Sequence, residues 1–272
     1  MKSRIIYYYQ TFVDIDNLLT KNTPITHIHL SSIHFGTNFS KQPYIHLNDF
    51  TPDSHYFDKM WINIKKAYDL GIKIILMVGG AGLAFNNLFS NFEAYYKLLF
   101  DLIKSRPYIC GIDLDIEEEV SLNNVKYLIN RINKDFGSDF IITMAPIQNS
   151  LQTDNEGLGG FSYKELYKSN EGKRINYFNG QFYSDFSIQS YKDAVNNGYP
   201  PSKVVMGMDS NQFSSTNFND ALNIIKNLKS IYNDFGGVFV WELFNCPPNP
   251  KYHGTWSKKI SGVLNQNFCL IQ

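Results

Sequence analysis

The chain has 272 residues, with 25 Lys and Arg against 25 Asp and Glu, so its formal net charge is zero, and no basic run is longer than a pair. That balance excludes the electrostatic footprint of a nucleic-acid binder. The length suits one α/β barrel without demanding a second domain, and the 15% aromatic content serves either a packed core or the apolar faces of sugar rings.

The chain opens on a short apolar run with Tyr7, Tyr8 and Tyr9, which reads as a first strand over residues 4–8. It has neither the length nor the small-residue cleavage site of a secretory leader, and no later run is long enough to span a membrane. The chain as written is therefore expected to be soluble, monomeric and cytoplasmic, or secreted if a leader has been removed, with no membrane partner. Residues 25–31 read as a second strand, on which His27 and His29 share a face. The six His give no HExxH or comparable ligand spacing, so both are read as satisfied structural side chains, and no metal or other cofactor is expected.

The segment 37–53, with Pro43 and the run 44–47, reads as an excursion that builds one wall of a cleft. Phe57, Met60, Trp61, Ile64 and Tyr68 then recur at helical spacing and stop at Gly71. A third strand over 72–78 leads into Gly79-Gly80-Ala81-Gly82, which lacks the Lys-Ser/Thr of a phosphate cradle, and no glycine follows the first strand as a dinucleotide fold requires. A fourth strand covers 109–116. The helix after it is capped by Ser121, runs through Val125, Leu128, Ile129, Ile132 and Phe136, and ends at Gly137.

Strands over 140–145, 175–182, 203–208 and 237–241 follow, with a helix through Ala221, Leu222, Ile225 and Leu228 before the last. Eight strand-helix alternations predict a closed (β/α)₈ TIM barrel forming a single domain over 1–272, with an open doubly wound sheet as the alternative. Cys110, Cys246 and Cys269 are odd in number and unrelated in spacing, so they provide no CxxC motif and no disulfide framework, although one pair could form outside the cell. Pro247-Pro248 reads as a loop after the last strand.

The most informative stretch is Gly111-Ile112-Asp113-Leu114-Asp115-Ile116-Glu117. Strand side chains alternate, so Asp113, Asp115 and Glu117 point to one side and Ile112, Leu114 and Ile116 to the other. Three like charges at strand spacing cannot all stay ionised, which pushes their pKa values apart and keeps one acid protonated near neutral pH. In a barrel they sit at the C-terminal end of the fourth strand, the end that carries barrel chemistry. Glu118 has the opposite parity and Glu119 lies further out, so both are read as part of a solvated loop.

This run resembles the DGxDxDxE signature of glycoside hydrolase family 18, the chitinases and their relatives. Gly79-Gly80 is similar to the end of the family's SxGG, Gln181-Phe182-Tyr183 resembles the QFY of plant class III chitinases, and Trp241 ends the last strand where the family has a tryptophan. Met144-Ala145-Pro146 adds a weaker likeness. The resemblance implies that Glu117 is the general acid and that the sugar's own 2-acetamido oxygen is the nucleophile, an exception to the two-carboxylate retaining scheme. It implies that Asp115 orients the acetamido N–H and shares a proton with Asp113, that Tyr183 donates to the acetamido carbonyl, and that Trp241 forms the floor under the sugar. Gln181 and Met144 are implied substrate contacts.

Tyr7 is read as either a donor into the lumen or barrel filling, and Asp209 as either a substrate contact or a cap. Tyr183 and Trp241, taken alone, read as core residues more often than not, and only their place opposite the acids makes them site candidates. The sequence departs from the family pattern twice: Cys110 stands for the first motif Asp, and Met77 for the serine. Cys110 is expected to face the helices and Met77 the lumen, where a thioether in place of a hydroxyl should shift the pH-rate profile relative to a Met77→Ser variant.

The implied activity is endo-hydrolysis of β-1,4 bonds in chitin or other N-acetylglucosamine oligosaccharides. The alternatives are an endo-β-N-acetylglucosaminidase acting on the chitobiose core of N-glycans, or an inactive, lectin-like barrel. Retention of Asp113, Asp115, Glu117, Tyr183 and Trp241 together argues against the last.

Overall fold

The computed structural model describes residues 2–265. Strands β1 (Arg4–Tyr9), β2 (His27–Thr37), β4 (Lys73–Gly79), β5 (Ile109–Asp115), β6 (Ile141–Met144), β7 (Tyr177–Gly180), β8 (Val204–Asp209) and β9 (Gly237–Trp241) are parallel. Pairing of β1 with β2 joins the two ends of this row, so the sheet closes into a barrel and the open doubly wound alternative is excluded. The expected strands fall within two residues of those observed, except that β2 continues to Thr37. There it pairs antiparallel with β3 (Pro43–Leu47), so the excursion read over 37–53 is a hairpin standing on the rim.

Amphipathic helices cover the barrel. Helix α1 (Asp58–Asp69) buries Met60, Ile64 and Ala67, while Tyr68, which fits the same helical spacing, is exposed. Helices α2 (Ala84–Ser90) and α3 (Phe92–Ser105) follow β4. Helix α4 (Leu122–Phe136) has the expected cap, with Ser121 Oγ accepting the Asn124 N–H at 3.2 Å, and it stops at Gly137, whose φ of 82° suits glycine. Its Val125, Leu128, Ile129 and Ile132 are buried, each contributing roughly 1.5–3 kcal/mol relative to exposure. Helices α5 (Gln148–Gln152), α6 (Tyr163–Lys168), α7 (Ile188–Asn196), α8 (Phe218–Ile231) and α9 (Gly254–Leu264) complete the outer layer.

The core is divided by the barrel wall. A large cluster, including Ile112, Leu114, Ile116, Met144 and Trp256, lies between sheet and helices, whereas Ile6, Tyr8, Met77, Tyr177, Val205 and Phe239 pack inside the lumen. Strand parity thus sends the apolar residues of 112–116 outward and leaves the acids for the inside. Cys110 and Cys246 are free thiols, and Cys269 lies outside the described residues.

Candidate active site

Parallel pairing aligns Met77, Asp113 and Thr143 in one row across β4, β5 and β6, and Gly79 with Asp115 in the row above. Asp113 is fully buried at the lower level. Its Oδ2 accepts from Tyr8 OH at 2.6 Å, and its Oδ1 accepts from Thr143 Oγ1 at 2.5 Å and Asn179 Nδ2 at 3.2 Å. His29 Nδ1 lies 3.2 Å from Oδ2, in ion-pair range though off line for a hydrogen bond. Asp115 is 5% exposed and Glu117 is half-buried two residues beyond the strand. Gln181 Nε2 spans the two, 3.2 Å from Asp115 Oδ1 and 3.3 Å from Glu117 Oε1, while also donating to the Ala145 carbonyl at 2.9 Å.

The two aspartates are driven apart electrostatically. Burial, then the charges of Glu117 and Asp113, hold the Asp115 carboxyl well above the usual carboxylate range, with the Gln181 hydrogen bond acting weakly in the other direction. Burial is also the largest influence on Asp113, but the charge and contact of His29 and the bonds from Thr143 and Tyr8 outweigh it and leave Asp113 below its ordinary value. Burial, followed by the charges of Asp115, Asp209, Glu117 and Asp113, keeps the Tyr183 hydroxyl protonated far into the alkaline range. No hydrogen bond joins Asp113 to Asp115 among the described residues; each carboxylate has other partners.

Above them opens a cavity of about 330 Å³ lined by Tyr8, Met77, Asp115, Glu117, Ala145, Gln181, Tyr183 and Trp241. The Trp241 ring meets Tyr8 edge-on, with 5.5 Å between centroids. One side of the cavity is main chain: Gly79 and Gly80 have φ of 99° and 85°, and the Gly80 N–H donates to the Asp115 carbonyl at 2.9 Å. A second cavity of about 570 Å³ shares Gln10, Ser32, His34 and Ala81 with the first and runs along the hairpin past His46, Phe50 and Tyr56, so the two form one cleft. The Glu242 carboxylate fixes the backbone of Gln10, which lines both cavities, and of Thr11 by accepting their N–H groups at 3.0 and 2.9 Å.

The structure brings together Asp113, Asp115, Glu117, Gln181, Tyr183 and Trp241, and it puts Met77 in the lumen as expected. Other expectations are corrected. Tyr7 points outward, packing on Trp256 and donating to the His253 carbonyl at 2.7 Å, and its neighbour Tyr8 is the lumen donor. Met144 is fully buried on the helix side, so Thr143 and Ala145 are the residues of β6 that face the site. Asp209 Oδ1 accepts the Asn211 N–H at 2.9 Å as a turn cap and is absent from the cavity wall. Glu118 is buried rather than solvated and caps α2, accepting from Phe85 N at 2.6 Å and Asn86 Nδ2 at 2.5 Å. Cys110 is not among these corrections: it shares the strand parity of Ile112 and Leu114, lies outside the cavity wall and the lumen cluster, and is half-buried with its Sγ 3.4 Å from the Tyr108 carbonyl.

Sequence reasoning missed Tyr8, His29, Thr143 and Asn179 as partners of Asp113. Thr143 had a legible signal, a lone polar residue between Ile142 and Met144; the parity within Tyr7-Tyr8-Tyr9 had none. Among the described residues no group of three His, Cys, Asp or Glu side chains could hold a metal ion, and no helix is long and apolar enough to cross a membrane.

No family model matches the chain. It is 32% identical to a solved fungal endo-β-N-acetylglucosaminidase from glycosyl hydrolase family 18, over 96% of this chain and 98% of that one, with a TM-score of 0.84. It is 30% identical to the chitinase ChiC from Aspergillus fumigatus, over 95% and 98%, with a TM-score of 0.81. A family 18 chitinase from Pseudoalteromonas aurantia, 19% identical over 96% of this chain and 100% of that one with a TM-score of 0.72, shares the fold. Among curated proteins, Chitinase 2 of Rhizopus oligosporus is 25% identical over 209 residues, 66% of this chain, and the match spans only 35% of that relative's length.

Proposed function

Because the chain belongs to glycoside hydrolase family 18, we propose that it is a retaining endo-glycosidase, a single catalytic barrel that cleaves β-1,4 bonds following N-acetylglucosamine in chitin or chitooligosaccharides. The observation that carries this reading is the arrangement at the mouth of β5: a buried Asp115 biased toward its protonated form, bridged by Gln181 to a cavity-facing Glu117.

In this reading Glu117 gives its proton to the leaving glycosidic oxygen as the substrate's acetamido oxygen attacks the anomeric carbon. Asp115 accepts the acetamido N–H on its unprotonated oxygen and so aims the acetamido oxygen at the anomeric carbon, while Tyr183 donates to that oxygen. The Glu117 carboxylate left by proton transfer, with the ionised Asp113 below, balances the oxazolinium charge. Water then opens the ring from the vacated side and returns a proton to Glu117, so two inversions give net retention. Trp241 offers its face to the sugar. Asp113, Met144, Tyr7 and Asp209 lie outside the cavity wall, and of these only Asp113 has a part, as a support for Asp115. The long cleft along the hairpin supports binding of several sugars and hence endo action.

A second reading, cleavage of the chitobiose core of N-glycans, is favoured by the likeness to the fungal endo-β-N-acetylglucosaminidase. Both use the same acid and the same substrate nucleophile. Parallel assays on a chitooligosaccharide and on a high-mannose glycopeptide test the proposal: faster cleavage of the oligosaccharide is expected, release of the glycan alone establishes the second reading, and hydrolysis of neither removes both.

A further inference from the structure

Resting on that reading, we infer that His29 is a positioning residue for the reaction, one that through Asp113 keeps the lower aspartate ionised so that the proton of the aspartate pair resides on Asp115. His29 touches no cavity surface. It is fully buried on β2 beneath the site, with Nδ1 facing Asp113 and Nε2 3.3 Å from Tyr177 OH.

Asp113 is 0% exposed, and an ionised carboxylate at such depth is costly unless donors and a compensating charge surround it. Tyr8, Thr143 and Asn179 supply neutral donors. Among the described residues, His29 is its one ion-pair partner. Arg4, at the foot of the lumen, stacks its guanidinium 4.1 Å over Tyr177 and reaches the Ser202 and Gly236 carbonyls. On β4, the side chain in register with Asp113 is Met77, which offers only a thioether.

The neighbours fix how the imidazole faces the carboxylate. Tyr177 at Nε2 can donate or accept, so it tolerates a neutral or a charged ring, whereas the carboxylate opposite Nδ1 requires an N–H there. The Tyr8 ring lies 4.8 Å from the His29 ring and holds it from the side. The charged or titratable groups around the pair are Arg4 and Tyr8 on β1, His27 on β2, Asp115 on β5 and Tyr177 on β7, with Glu117 and Tyr183 above and Tyr163 on α6 within the field of Asp113. Of the influences that hold Asp113 below its ordinary value, the charge of His29 is the foremost. Without it, Asp113 would compete for the proton, and Asp115 would carry its charge beside Glu117.

The test compares wild type, His29→Asn and Tyr177→Phe by pH-rate profile on a fluorogenic chitotrioside and by NMR titration of the Asp113 side-chain carbon. His29→Asn is expected to lower kcat roughly tenfold with little change in KM. The same change should move the acidic limb and the Asp113 midpoint up by about one pH unit, the equivalent of that tenfold factor. Tyr177→Phe keeps the ring, frees Nε2 and should shift both in the same direction by less; it decides the matter if His29→Asn does not fold. An unmoved Asp113 midpoint overturns the inference whether or not the enzyme turns over, whereas a wild type that hydrolyses nothing overturns the proposed function alone.

Discussion

The Glu118 carboxylate accepts the Phe85 backbone N–H at 2.6 Å, tying the loop after β5 to the first turn of α2. Adjacent glutamates therefore do unrelated work: Glu117 faces the cavity, and Glu118 turns back into the wall to satisfy amide groups that the helix leaves open. Removing the cap should cost about 0.5–2 kcal/mol. A Glu118→Ala variant is thus expected to lose a few degrees of thermal stability while retaining most of its turnover, as measured by calorimetry alongside a chitotrioside assay.

Asp115 gives a pH-dependent prediction. Burial, then the charges of Glu117 and Asp113, raise its folded-state pKa above the unfolded value of 3.8. The folded state therefore binds the extra proton between those two values, and stability falls as pH rises through the window. Each tenfold gain in proton affinity corresponds to about 1.4 kcal/mol lost on the alkaline side. Asp115→Asn, which cannot ionise and keeps an oxygen for Gln181, should be inactive yet melt above wild type at pH 8, with the difference vanishing below pH 3.8. Thermal melts across pH check this.

Two glycines separate backbone strain from collision. Gly71 has φ of 88° with nothing within 4 Å of a would-be Cβ, so Gly71→Ala should cost about 1–2 kcal/mol, from backbone strain alone. Gly79 has φ of 99°, and its Cβ would come within 2.2 Å of the Asp115 carbonyl oxygen. Gly79→Ala should therefore cost more than about 3 kcal/mol and displace Asp115, abolishing turnover. Denaturant unfolding of the two variants compares them directly.

Much of this was legible in the sequence where a rule of parity applied. The alternation in 111–117 places the acids inside and the aliphatics outside, and eight alternating strands and helices give the closed barrel. Legibility failed where parity had no anchor. Three consecutive tyrosines do not say which one enters the lumen, and the motif likeness of Ala145 and Pro146 draws Met144 toward the site although its side chain packs on the helices. The hairpin of β2 and β3 arises from a strand that runs past the barrel rim, which local composition does not mark. His29 looks ordinary in sequence because its partner Asp113 lies 84 residues away, and the two come within 3.2 Å only where β2 and β5 flank β4 and both side chains turn into the lumen.

The central claim is that Glu117 protonates the leaving group while the substrate supplies the nucleophile. The most direct test is hydrolysis of a chitooligosaccharide by wild type and Glu117→Gln, with product anomers followed by NMR from the first turnovers. The account predicts initial β-anomer from wild type and a loss of at least about 10²-fold in rate for Glu117→Gln with binding largely retained. Initial α-anomer, or undiminished turnover in Glu117→Gln, would contradict it.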